Sequence, residues 1–469
     1  MKPLAPLFLA LALSACAPMD PGAPAVQPLD GAGIGLRDST AVQWPTHQWW
    51  QRYQDPQLDG LIERALADSP TLDSAAARVR MANAAVRNAR ALQWPQADAR
   101  YRMTRQHYSE NYIYPPPLGG SMDTDNSLTL QVDFDLDLWG RQRALTAAAQ
   151  SNALAAQAEQ QQSRTLLVST VAQSYFQLQD ALAQSTALEA IVGKQQTALD
   201  ITRDRYTHGL STQVDVDQAR SAVSAAHVQL AQARNNAELL RHQLAALTGT
   251  GPDRLPALAP REGAALPQGV PESMPMALLG RRADVVAARL QAEAAGAEIS
   301  AAKAEFFPDI NLSAFAGFMS LGMDQLLRGD SRSYGAGPAI TLPIFHAGAL
   351  NARLEGRRAA RDLAIAQYNQ TVLGAVREVA DASASIRSLR EQIRYQEASL
   401  AASTSAYDIA LKRYQAGLGD FVQVLLAQSD ALTQSVHTAD LRARAYILDA
   451  QLATALGGGY QAEPPSPAH

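Results

Sequence analysis

From Leu128 the chain alternates with period two. Leu128, Leu130, Val132, Phe134, Leu136 and Leu138 fall on one side; Thr129, Gln131, Asp133, Asp135 and Asp137 fall on the other. That is the pattern of a strand with one apolar and one wet face. With the residues up to Trp139 it predicts a strand over Leu128–Trp139, and similar alternation predicts strands over Asp98–His107, Asp309–Phe318 and Tyr334–Phe345. Elsewhere the apolar spacing is helical. In "DPQLDGLIERAL", Asp55 stands as N-cap, Pro56 takes the first helical position, and Leu58, Leu61, Ile62 and Ala65 share one face. After Gly140, helix-forming Ala, Gln, Leu and Arg continue to about Thr207. About 67 residues at 1.5 Å each give a helix on the order of 100 Å.

"HGLS" (His208 to Ser211) interrupts that helix, and a return helix follows. Its seam is read as Ala219, Ala222, Ala226, Leu230, Ala233, Ala237, Leu240, Leu244 and Leu247, with steps of three and four as in a coiled coil. A second seam reads Leu432, Val436, Ala439, Ala443, Tyr446, Ile447, Ala450 and Ala453. Helices this long make a rod or tube rather than a globule. The two halves of the chain also match: "RYTHGLSTQVDVDQA" from Arg205 parallels "RYQAGLGDFVQVLLA" from Arg413, "WPQAD" from Trp94 parallels "FPDIN" from Phe307, and "LDLWGR" from Leu136 parallels "LPIFHAG" from Leu342. Three landmarks in one order predict an internal duplication. Each half reads helix, strand, strand, long helix, turn, helix, so the expected fold class is mainly α with a small antiparallel β part.

Composition narrows the setting. The chain has 469 residues, 47% hydrophobic and 18% charged, with a formal net charge of -5; that excludes a disordered chain, and with no basic run it argues against nucleic acid. Lys2 precedes a short apolar core, Leu4 to Leu13, ending in "LSAC", the layout of a secretory signal rather than a membrane span. Cys16 is the only cysteine, and its placement resembles a bacterial lipobox. The resemblance implies cleavage before Cys16 and its acylation (palmitate among the chains), with Ala17 directing the protein to the outer membrane. Multiple acyl chains anchor stably where one does not.

The strands then face two readings. Alternation alone suits an amphipathic soluble hairpin. About 11 alternating residues also suffice to cross a bilayer as part of a β-barrel, and aromatic residues stand at both ends of the strands, with Trp94, Trp139, Phe307 and Phe345 at one end and Tyr108, Tyr112 and Tyr114 at the other. A sheet in lipid has no open edge, and four strands cannot close a barrel, so spanning strands require several chains to share one barrel.

Taken in order, "LSAC", "WWQRYQDPQLDGLIERAL", "DLDLWGR", "RRADV", "FFPDI", "LPIF" and the paired "RYxxGL" turns resemble the outer-membrane efflux factors of the TolC type, in the NodT-like lipoprotein branch serving RND-type tripartite pumps. The match covers nearly the whole mature chain; Ala283 stands where that family usually has Pro. The resemblance implies a homotrimer with a twelve-stranded transmembrane barrel, a periplasmic α-barrel of long coiled coils, a periplasmic adaptor protein and an inner-membrane RND-type transporter as partners, outer-membrane lipid around the barrel, and no cofactor. The expected layout is a signal peptide over 1–15 and a tether over 16–54. A first repeat follows over 55–250 (hairpin 98–139, turn 208–211), then a linker over 251–275. A second repeat occupies 276–457 (hairpin 309–345, turn 416–419), and a disordered tail 458–469.

No nucleophile motif, P-loop or metal-ligand spacing occurs in the sequence, so neither an enzyme nor a metal site is expected. Gly209 and Gly417 suit sharp helix reversals; by geometry they are only turns, while the resemblance makes Arg205, Gly209, Leu210, Arg413, Gly417 and Leu418 the adaptor-docking tips. It also places an acidic, tunnel-narrowing ring just after the second turn, where this chain has Gln423 and Leu426; Asp420 is the nearest carboxylate, and Asp420 or Leu426 is expected at the constriction. In the barrel, Asp133, Asp135 and Asp137 are expected to face the lumen with Arg100 and Arg102, the arginines neutralising Asp135 and Asp137 across the hairpin at about 0.2–1 kcal/mol per pair. The leading function is an exit duct for small toxic compounds. Alternatives are the duct of a type I protein secretion system and, in a different class, a lipid-anchored periplasmic coiled-coil scaffold.

Overall fold

The computed structural model describes residues 25–37, 44–261 and 275–461; Cys16 and the signal peptide lie outside them. In chain order the elements are α1 (Pro56–Asp68), α2 (Pro70–Ala91), β1 (Gln96–His107), β2 (Met122–Asp135), α3 (Arg141–Thr207), α4 (Gln213–Leu247), α5 (Ala283–Ala304), β3 (Asp309–Leu321), β4 (Arg332–Thr341), α6 (Ala349–Gln415) and α7 (Phe421–Ala455). Counterpart helices have equal lengths: α2 and α5 have 22 residues, α3 and α6 have 67, and α4 and α7 have 35. The chain divides into two compact units. One contains Leu92–Ala148 and Ala292–Tyr368; the other contains Leu29–Ala91, Ala149–Gln291 and the chain from Asn369 onward.

The first unit holds one four-stranded antiparallel sheet in the order β1-β2-β3-β4. Backbone pairing extends beyond the alternating stretch: β2 starts at Met122, six residues before Leu128, because "MDTDNS" completes the ladder to β1 despite polar side chains on both faces. It stops at Asp135 rather than Trp139 because the Asp137 side chain turns back to helix α3, and Gly140 (φ +77°) reverses the chain. β4 likewise stops at Thr341, ahead of Pro343. Two close approaches need glycine. A Cβ at Gly317 would meet the Leu128 carbonyl, and one at Gly335 would lie 2.9 Å from the Phe315 ring, which covers it. Pro338 sits on β4, an edge strand of this sheet, the position where proline is tolerated. At the helix end of this unit, Ile299, Ala302 and Leu354 pack with Phe306, and Glu305 faces Arg141 and Arg353.

The core of the second unit is aromatic. Trp49, Trp50 and Tyr53 join Leu58, Leu61, Ile62, Tyr175, Phe176, Leu244 and Tyr446, so the stretch expected to be a tether is core from Trp49 onward; "WWQRY" has too much apolar surface to stay in water. Asp55 caps α1 as expected, accepting from the amides of Gln57 (3.0 Å) and Leu58 (3.3 Å), and its other oxygen takes the Tyr175 hydroxyl at 2.7 Å. Asp449, buried beside Tyr53 and Arg52, accepts the Tyr53 hydroxyl at 2.7 Å. Burial raises the Asp449 carboxyl above its usual range while Arg52 opposes the shift.

The expected linker also contributes to this core, since the Arg261 guanidinium lies 4.9 Å from the Tyr446 ring centre and pairs with Asp55; residues 262–274 lie outside the described ones. "RRADV" has a structural role: buried Arg282 pairs with Asp284 and Glu378 at 2.7 Å each and donates to the Ala455 carbonyl at the end of α7. The tail does not begin at residue 458. Tyr460 packs beside Ala158, Val286 and Ala287, and residues 462–469 lie outside the described ones.

The α4 seam is regular. Val216, Ala219, Val223, Ala226, Leu230, Ala233, Ala237 and Leu244 are buried, with Leu240 half-buried between the last two; these steps of three and four put Val223, not Ala222, in the seam. The α7 seam departs from expectation. Leu432, Val436, Ala439 and Ala443 are half-buried, while Gln428, Thr438 and Asp449 are buried.

Candidate functional site

Register sorts the sheet residues by face. Gln96, Asp98, Arg100, Arg102, Thr104 and Gln106 of β1 pair with Asp133, Gln131, Thr129, Ser127, Asp125 and Asp123 of β2; this is the wet face, and Arg100, Arg102 and Asp133 share it. On the other face Ala97, Ala99, Tyr101 and Met103 pair with Val132, Leu130, Leu128 and Asn126, continued by Ile310, Leu312, Ala314 and Phe318 on β3. The one buried polar group of this face, Asn126, takes the Tyr101 hydroxyl at 2.9 Å.

Two expectations about the carboxylates fail. Arg100 lies opposite Thr129 and Arg102 opposite Ser127, so neither meets Asp135 or Asp137; the hairpin loop of 108–121 sets a register that places the arginines midway along β2. Asp135 pairs instead with Asn311 of β3. Asp137 is not a strand residue: it accepts the amides of Gln142 (3.0 Å) and Arg143 (2.9 Å) at the start of α3, where the helix dipole favours a carboxylate. Next to it, Trp139 stacks on Phe307 with centres 4.7 Å apart and donates to the Pro308 carbonyl at 2.7 Å.

The two turns share one geometry. Leu210 donates to the Arg205 carbonyl (2.8 Å) and Gly209 to Tyr206 (3.0 Å); Leu418 donates to Arg413 (2.9 Å) and Gly417 to Tyr414 (3.0 Å). With φ of +70° and +75° at the glycines, both are Schellman terminations. Their surroundings differ. Arg205 lies over the Tyr414 ring at 4.7 Å, so it joins the two turns, and Tyr414 is buried against Phe421, whereas its counterpart Tyr206 is exposed. Sequence reading missed Tyr414; the identical "RY" pairs gave no sign of which tyrosine is buried. Leu210 and Leu418 are 66% and 72% exposed, and Gly209 and Arg413 are exposed as well, leaving an open apolar tip.

After the turns, two caps use up the first carboxylates. Asp215 closes a capping box with Thr212, and the Thr212 amide, then the Thr212 and Ser211 hydroxyls, hold its carboxyl below the usual range. Asp420 caps α7 by accepting the Val422 amide at 3.3 Å and stays exposed. Gln423 is exposed and Leu426 is 67% exposed, both on the α7 side away from the buried Phe421, Val424 and Gln428.

A polar-faced, apolar-backed sheet whose two edges have no partner strand among the described residues, joined in sequence to long helices, fits an outer-membrane channel. The chain belongs to the outer membrane efflux protein family, which matches residues 61–250 and 274–458. It is similar to the multidrug resistance outer membrane protein MdtP of Shigella flexneri, 34% identical over 429 residues and covering 90% of this chain and 88% of that one. MdtQ of Escherichia coli O157:H7 is 32% identical over 467 residues, covering 97% of each chain. Among solved structures, the outer membrane protein VceC of Vibrio cholerae superposes with a TM-score of 0.82 at 35% identity, over 89% of this chain and all of that one.

Proposed function

We propose that three copies of this chain form the exit duct of a tripartite pump that expels small toxic compounds. The observation that carries this reading is the sheet itself. Its β1 and β4 edges have no partner strand among the described residues, and its apolar face suits lipid. An open edge is not tolerated in a bilayer; three copies supply twelve strands and close the barrel. The equal helix lengths of the two halves support an internal repeat that lines a periplasmic tunnel twice per chain.

The remaining assignments follow from that frame. Cys16 carries the lipid anchor. The tips at Arg205, Gly209, Leu210, Arg413, Gly417 and Leu418 meet a periplasmic adaptor, which connects to an RND-type inner-membrane transporter, and the exposed leucines give that contact its apolar surface. Asp420, Gln423 and Leu426 line the aperture. Small drugs are the favoured cargo, on the strength of relatives named for multidrug resistance.

The purified chain is expected to migrate as a heat-resistant trimer in detergent and to conduct ions in planar bilayers, and its deletion to lower drug resistance in the host. A monomer without conductance would leave the anchored-scaffold reading standing.

A further inference from the structure

Building on the barrel reading above, we propose that the outer face of the sheet holds phosphate-bearing lipid through Arg105 and Arg332. Alternation puts Arg105 on the face of Tyr101 and Met103, opposite Thr124. Arg332 lies on the same face, opposite Phe318 and two residues before Tyr334. Both arginines are exposed. Neither makes an ion pair with a carboxylate among the described residues.

Position along the strands supports the assignment. Arg332 is the first residue of β4 and Arg105 the third from the end of β1, so both stand at the loop end of their strands, one outward position beyond Tyr334 and Met103. Four residues along β1 separate Arg105 from the row Tyr101, Leu128, Phe318, Arg332. Strand tilt in a barrel offsets a row by a comparable amount over three strands. β1 and β4 are the two edges of the sheet, so barrel closure brings Arg332 of one copy beside the Arg105 strand of the next. Each subunit boundary then carries both guanidiniums above Met103 and Tyr334, which are 63% and 82% exposed.

Charge is also sorted by sign at this level. The outward face carries Arg105 and Arg332, while the carboxylates of Asp123 and Asp125 belong to the wet face. A cation rim directly above apolar and aromatic side chains fits a headgroup with phosphate at the rim and acyl chains below. Planar guanidinium matches phosphate oxygens in paired hydrogen bonds.

The test reconstitutes the full-length protein in phosphatidylcholine nanodiscs, with or without a fifth of diphosphorylated glucosamine lipid, and measures lipid retained by native mass spectrometry. Trimer content and conductance are measured in parallel, so a failure of the barrel reading is seen separately. The wild type is expected to retain phosphorylated lipid, and Arg105→Gln/Arg332→Gln to retain about tenfold less with trimer and conductance intact. Arg100→Gln/Arg102→Gln, which removes the same charge from the wet face, is expected to retain lipid as the wild type does. Equal retention by the outer-face variant, or equal loss by both variants, overturns the proposal. So does an outer-face variant that loses trimer to the same extent in pure phosphatidylcholine, because the arginines would then bind the neighbouring subunit rather than lipid.

Discussion

Asp180 on α3 illustrates a single residue at odds with its surroundings. Its carboxyl accepts from Gln184 at 2.8 Å, yet burial pushes it up to about 6, with Asp440 adding repulsion. A raised folded-state value means that the folded chain holds the proton more tightly than the unfolded chain. Below about pH 4 both states are protonated; stability then falls as pH rises through 4 to 6, and above that the full cost of the buried carboxylate is present. Asp180→Asn is therefore expected to gain about 1–2 kcal/mol at pH 7.5, discounted for partial exposure, and nothing near pH 4. Thermal midpoints of both proteins across that range check it; a less stable Asn variant at pH 7.5 would contradict it. Asp55 contrasts with Asp180, because the Pro after it and the apolar face beyond marked it in the sequence as a cap. Nothing local to Asp180 in the sequence marks its burial, which depends on the distant helix that carries Asp440.

At the scale of elements, alternation identified the strands and helix-forming composition the longest helix, and the errors lay where side-chain pattern and backbone geometry part. The α4 seam was read with Ala222 because alanines recur on both sides of it; only packing distinguishes Val223. In α7, a polar residue at a seam position gives no periodic signal, and Gln428 was missed for that reason. Its amide oxygen and nitrogen are buried with no hydrogen-bond partner among the described residues. Gln428→Leu is expected to raise stability by about 1–3 kcal/mol, measured by denaturant unfolding; a loss of stability would contradict an unpartnered amide. The turns are a separate case. A Cβ at Gly209 or Gly417 meets no atom within 4 Å, so Ala there costs only the left-handed backbone, about 1–2 kcal/mol. Gly417→Asn is expected to recover most of that. If Asn restores stability but not drug resistance, the tip acts in docking as well as in turning the chain.

For the whole molecule, symmetry turns single side chains into rings. The proposed threefold assembly would multiply Asp420 and Leu426 by three around one axis, and three carboxylates or three leucines act differently on a passing ion. Asp420 also caps α7, so replacing it with alanine would confuse charge with helix stability. Asp420→Ser keeps a capping oxygen and removes only the charge. The effect must be read at low salt, since the Debye length is about 10 Å at 0.1 M and about 3 Å at 1 M. Asp420→Ser is expected to lower cation preference at low salt and to match the wild type near 1 M. Leu426→Ser, which replaces an exposed apolar ring by hydroxyls, is expected to raise single-channel conductance at every salt concentration. A result in which only Asp420→Ser acts makes the aperture an electrostatic filter, and one in which only Leu426→Ser acts makes it an apolar constriction. If neither variant changes the channel, the narrowest point lies away from the start of α7, and the role given to Asp420, Gln423 and Leu426 is wrong.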